Sequence, residues 1–174
     1  MQYVHNIRSP IGTLTVSSDG CNVSGLWIEG QKYFARGLGN DVFEQKLPIF
    51  EEVQKWLDIY FSGNEPNFMP ALMPEGSLFQ KSIWNILCTI PYGQTTTYGE
   101  IAKRFEAGNN GKRTSARAVG NAVGHNPVSI LIPCHRVIGK NGDITGYAGG
   151  VSKKLQLLRT ERIEISKGFA SHNF

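Results

Sequence analysis

At 174 residues, 40% hydrophobic and 18% charged, the chain has the apolar content of a folded domain or two, which excludes a disordered or low-complexity segment. Cys21, Cys88 and Cys134 are widely spaced and form no C-x-x-C pair, which argues against a disulfide scaffold or a metal site and fits a reducing compartment. The formal charge of +4 is uneven: residues 1–75 hold five Lys/Arg and nine Asp/Glu, residues 76–174 thirteen and five, so the second half is the one suited to a polyanion such as nucleic acid. No apolar run approaches the roughly 18 residues of a membrane span, and the first eight residues lack the form of a signal peptide. A cytoplasmic location with no membrane partner is therefore expected.

The first half alternates in short runs. Residues 3–7, 14–18 and 23–28 read as strands, parted by turns at Ser9-Pro10-Ile11-Gly12 and Ser18-Asp19-Gly20. Ile49, Phe50, Val53, Trp56, Leu57, Tyr60 and Phe61 fall at helical spacing, with Gly63 as the stop. This predicts a small α+β domain over residues 1–75, a strand meander with a helix against it and a structural role. Pro66, Pro70 and Pro74 mark residues 64–76 as an extended linker at its end.

Residues 76–174 read as a helical domain. Ser77-Leu78-Phe79-Gln80 has capping-box form and opens a helix to about Thr89, with Phe79, Ile83, Ile86, Leu87 and Ile90 on one stripe. Thr97-Tyr98-Gly99-Glu100 repeats the signal for a helix to about Phe105, which puts Tyr98 in a first turn. After a polar loop, Thr114 or Ser115 starts a third helix made slim by Ala116, Ala118, Gly120 and Ala122, so that it can approach a neighbouring helix or a groove closely. Gly124 and Asn126-Pro127 end it.

Ile130-Leu131-Ile132 reads as a buried strand that Pro133 terminates, presenting Cys134 at its end. An isolated cysteine is most often a small buried hydrophobe. His135 and Arg136 beside it are what point to a nucleophile, because they supply a base and a positive charge. Val137-Ile138, a turn at residues 140–143 and Ile144 would form the wing of a winged helix-turn-helix. Residues 146–150 form a Gly-rich loop. A last helix over residues 151–161 should face Leu155 and Leu158 inward, and the tail from Ile163 has no pattern.

The segment Ile132-Pro133-Cys134-His135-Arg136-Val137 resembles the active-site signature of the O6-alkylguanine-DNA alkyltransferases. The resemblance is strong over about residues 76–161 and loose over residues 1–75. It implies that Cys134 accepts the alkyl group, that His135 acts as base through a water, and that Glu161 orients the imidazole. Asn126 would tie the recognition helix to the active-site turn. Tyr98 would hydrogen-bond guanine and help the departing ring gain a proton. Arg117 would replace the extruded base in the stack, with Ser115, Ala116 and Gly120 on the DNA-binding helix and Arg136 a further DNA contact. Val137, Tyr147, Ala148 and Gly149 would wall the pocket; Ala148 stands where the family often has Ser, so the N–H is kept and a hydroxyl lost.

The partner so implied is double-stranded DNA containing O6-alkylguanine, approached from the minor groove by a monomer, with no cofactor and no metal. O4-alkylthymine is a second candidate substrate. A thioether at Cys134 lacks a ready leaving group, so one turnover per molecule is expected. Three other readings differ in kind. A non-catalytic binder of damaged DNA resembles this family but carries Trp at the nucleophile position. A winged-helix regulator needs only the helices and the charge. A cysteine hydrolase would need an oxyanion-hole signature, and none is visible.

Overall fold

The structure, a computed structural model, describes residues 1–144 and 146–165. Of the patternless tail, residues 166–174 lie outside the described residues. The alternating runs of the first half form the expected antiparallel meander: β1 (Gln2–Ser9), β2 (Gly12–Ser18) and β3 (Val23–Ile28). A short strand without a readable pattern, β4 (Val42–Glu44), adds in parallel to β1, and the sheet order is β3-β2-β1-β4. The helix α1 (Pro48–Phe61) buries Ile49, Phe50, Val53, Trp56, Leu57 and Tyr60, the face its spacing predicts. Proline at its start needs no hydrogen-bond partner, and Gly63 follows its end at φ +82°.

The proline-rich stretch is extended but tied down. Val23 N donates to Ala71 O at 2.8 Å, and Met73 N donates to Val23 O at 2.8 Å, so this stretch runs along the outer edge of β3. Farther along that edge Leu26 N donates to Pro127 O at 2.9 Å, and Ser129 N donates to Leu26 O at 2.8 Å. An edge that would otherwise invite another chain is covered by the protein's own backbone. Residues of both halves join one hydrophobic cluster.

In the second half α2 (Leu78–Leu87), α3 (Tyr98–Gly108) and α4 (Ala116–Gly124) pack on one another. Both capping boxes form, Ser77 with Gln80 and Thr97 with Glu100, and Ser115 Oγ caps α4 by accepting from Ala118 N. A two-residue strand, β5 (Thr96–Thr97), pairs in parallel with β6 (Val137–Ile138). The last helix is α5 (Val151–Thr160). Among the described residues no helix is long and apolar enough to cross a membrane.

Three expectations are overturned. Ile130, Leu131 and Ile132 are buried, but they form tight turns and no strand. Leu131 N donates to Ser129 O and Cys134 N to Ile132 O, each two residues back, and Ile130 takes φ +71°. A short apolar run specifies burial and leaves conformation open, and here the Asn126 side chain replaces the strand ladder. Among the described residues the wing shows no second strand: Val137-Ile138 pairs with Thr96-Thr97, and Gly139 N–Asp143 O at 2.8 Å closes a turn. In α5 the buried positions are Lys154, Leu157 and Leu158, with Leu155 only partly covered.

Candidate active site

Asn126 is the strut of the turn that holds the thiol. It follows α4 directly after the C-cap, and it is 5% exposed. Its Oδ1 accepts from Val128 N at 3.0 Å; its Nδ2 lies within donor range of Ile132 O at 2.9 Å, Val128 O at 3.3 Å and Cys134 Sγ at 3.1 Å. One amide thus satisfies the backbone groups that a strand would have paired, and links α4 to Cys134. A β-branched residue in the left-handed region costs about 1–3 kcal/mol. At Ile130 this strain is held by burial and by the Asn126 bonds.

Cys134 opens a single 3-10 turn through Arg136 and is 6% exposed. Burial raises its thiol pKa, against the opposing donation from Asn126 and the charge of Lys154. The resting sulfur is therefore a protonated thiol that needs a base. Lys154, missed in the sequence, is 1% exposed and donates from Nζ to Val137 O at 2.5 Å. Burial lowers its pKa to about 8, with the nearby thiolate position acting in the opposite sense. Its signal was helical phase: Lys154, Leu157 and Leu158 share one face at i, i+3 and i+4.

Next to Cys134, His135 is fully buried and hydrogen-bonds through Nε2 to Glu161 Oε1 at 2.5 Å. Burial lowers its pKa, more than the Glu161 contact raises it, so the imidazole is neutral. With Nε2–H donated to a carboxylate, the basic lone pair lies on Nδ1, which has no protein partner among the described residues. Glu161 sits at the C-terminal end of α5, where the helix dipole disfavours an anion. Five donors offset this: His135 Nε2, Arg136 Nη2 and Tyr60 Oη on Oε1, with Arg136 Nε and Gly93 N on Oε2. Burial alone would raise the carboxyl pKa, but the hydrogen bonds from His135 and Arg136, together with the guanidinium charge, bring it down to about 2.

Arg136 is therefore no DNA contact. It is 8% exposed, and its guanidinium is spent on both Glu161 oxygens and on Ile90 O at 2.7 Å. Ser115, Ala116 and Arg117 are exposed at the start of α4, as a DNA-facing surface requires. Gly120 turns inward instead: a Cβ there would lie 3.7 Å from the Tyr98 ring. Tyr98 is partly buried; burial first, then the thiolate charge at Cys134, raise its pKa and keep the phenol a donor.

The other residues expected to wall a pocket, Val137, Tyr147, Ala148 and Gly149, lie on β6 and on the loop before α5. Val137 O accepts from Lys154, and its N donates to Cys134 O. Tyr147 is 8% exposed, and a Cβ on Gly149 would come within 2.8 Å of its ring, so the loop needs glycine there. Lys32 N donates to Ala148 O at 3.0 Å, which anchors this loop to the first half.

Residues 78–163 match the family described as 6-O-methylguanine DNA methyltransferase, DNA binding domain. A methylated-DNA–protein-cysteine methyltransferase from Methanosarcina mazei is 45% identical over 159 residues, covering 91% of this chain and 96% of the relative. One from Haemophilus influenzae is 42% identical, covering 92% and 87%. Among solved structures, the Mycobacterium tuberculosis OGT in complex with DNA superposes with a TM-score of 0.81 at 39% identity, covering 92% of each chain.

Proposed function

The chain belongs to the O6-methylguanine DNA methyltransferase family, and from that premise we propose that it repairs alkylated DNA by moving the alkyl group from guanine O6 to Cys134. It is a methylated-DNA–protein-cysteine methyltransferase, and DNA is its partner. The observation that carries the residue assignment is the juxtaposition of a buried thiol cradled by Asn126 with an imidazole whose outer nitrogen is held by Glu161.

Each group then has a task. The O6-alkyl carbon is out of reach inside a duplex, so the base is flipped at a cost of a few kcal/mol. Exposed Arg117 on α4 fills the gap from the minor groove, with Ser115 and Ala116 against the backbone and α3–α4 serving as the helix-turn-helix. His135 Nδ1 takes the thiol proton through a water, and the imidazolium is stabilised by Glu161. The S–C bond forms as the O6–C bond breaks. Tyr98 donates to the departing ring as charge develops there, and Lys154 offsets the charge on sulfur. Val137, Tyr147, Ala148 and Gly149 enclose the base. In net terms the thiol's proton replaces the alkyl group on guanine, and the thioether ends the reaction after one turnover.

The protein acts as a cytoplasmic monomer, with residues 1–75 buttressing a DNA-binding and alkyl-accepting part over residues 76–174. Incubation with an O6-methylguanine duplex, followed by intact-mass measurement and peptide mapping, should show one added methyl on Cys134. An unchanged mass despite tight binding would reject transfer in favour of a damage binder.

Substituting Arg117 by alanine should slow transfer from duplex DNA by at least tenfold, while transfer from the free modified base changes less than twofold. Extrusion is needed only in the duplex. Equal slowing on both substrates would remove Arg117 from that role.

A further inference from the structure

The mechanism above uses only residues of the second half, yet a hydroxyl from the first half reaches the middle of it. We propose that Tyr60, on α1, is a positioning residue of the proton relay, holding Glu161 ionised and in line with His135. Its Oη donates to Glu161 Oε1 at 2.9 Å and lies 3.3 Å from His135 Nε2, so three atoms form a closed triangle whose third edge is the 2.5 Å His135–Glu161 bond. Leu157 O, at 3.5 Å, is a poorer acceptor for the same proton. The ring is fully buried and locked in place by Trp56, stacked at 5.2 Å, and by the edges of Phe61 and Tyr92.

The chemistry follows from the order of the donors. When His135 accepts a proton at Nδ1, it becomes an imidazolium beside a buried carboxylate. In a water-poor site such a pair can collapse to two neutral groups by sliding the Nε2 proton onto Oε1. A donor already on Oε1 makes that oxygen a worse base and keeps the negative charge where the imidazolium needs it. Burial and the neighbouring Glu161 raise the phenol's pKa far beyond the working range, so it donates at every pH of interest. The charged and titratable groups around the triangle are Glu161, Arg136, Tyr92 and Tyr147 facing the phenol, and Lys154 acting on the imidazole. None of these supplies a second neutral donor to Oε1.

This inference rests on the assignment of Cys134, His135 and Glu161 made above. The test is the single-turnover rate of methyl transfer from an O6-methylguanine duplex, followed against pH in the full chain. Tyr60→Phe keeps the ring and should slow transfer about tenfold near neutrality, the order expected for one lost bond to a charged group. Its pH midpoint should move upward by about half a unit or more, because the thiol gives up its proton less readily. Tyr92→Phe removes a neighbouring hydroxyl that donates to Thr160 O at 3.2 Å rather than to Glu161, and should leave the midpoint in place. 3-Fluorotyrosine at position 60 keeps the fold and strengthens the donor, and should move the midpoint down. A midpoint that stays fixed in both position-60 variants, or that shifts equally in Tyr92→Phe, overturns the role. Wild-type protein that gains no methyl on Cys134 would overturn the relay itself, and so is told apart from failure at Tyr60 alone.

Discussion

Replacing Cys134 by serine is expected to abolish methyl transfer, with a loss beyond about a thousandfold, while binding to O6-methylguanine DNA stays within about threefold of wild type. Oxygen and sulfur occupy similar space, and Asn126 Nδ2, 3.1 Å from Sγ, can donate to either. The fold around the site is thus retained. The reaction is not, because a serine hydroxyl is far less acidic than a thiol and its anion is out of reach of a neutral imidazole. The proposed DNA surface, the exposed residues Ser115 to Arg117 at the start of α4, is untouched. The check is mass spectrometry beside fluorescence anisotropy on the same samples; a variant that still gains a methyl, or one that loses DNA affinity in proportion, would move the acceptor elsewhere.

The second large effect belongs to Glu161→Gln. The amide keeps the shape but removes the charge that five donors surround, leaving the Arg136 guanidinium buried without its counter-ion. Breaking a buried pair from one side costs about 3–5 kcal/mol. Transfer should fall at least a hundredfold, since the imidazolium loses its partner. The same residue sets an acid limit on the wild type. A carboxyl held at about 2 in the folded chain, against about 4.3 unfolded, contributes stability that is complete above roughly pH 5 and disappears as pH falls toward 2. At about 1.4 kcal/mol per unit the contribution is about 3 kcal/mol. His135, with its pKa lowered by burial, adds loss in the same direction once pH drops below its unfolded value. Thermal melting from pH 7 to pH 3 should therefore fall steeply in the wild type and more gently in Glu161→Gln. Parallel curves would show that Glu161 does not carry the acid sensitivity.

What could be read in advance divides by the range of the interaction. Capping at Ser77, Thr97 and Ser115 is decided within four residues, and each cap formed where its residues stand. The buried face of α1 was legible because helical phase is local. The run before Cys134 was legible as buried but not as turned, since its conformation depends on the single amide of Asn126 acting on residues up to eight positions away. Arg136 looked like a surface cation until its partner, 25 residues on, was in view. Tyr60 is the extreme case: helical spacing placed its ring in the core, but its hydroxyl meets Glu161 across 101 residues, and nothing near Tyr60 in the chain announces that. Likewise β4 exists because β1 has a free edge, which its own three residues do not encode.

The border of β3 has a consequence for how the protein comes apart. Residues 71–73 and residues 127–129 both hang on the one strand, so neither part of the molecule can melt and leave the other with its backbone satisfied. Heating should dissolve the whole in one cooperative step, and a nick in the proline-rich stretch would leave two pieces still zipped together.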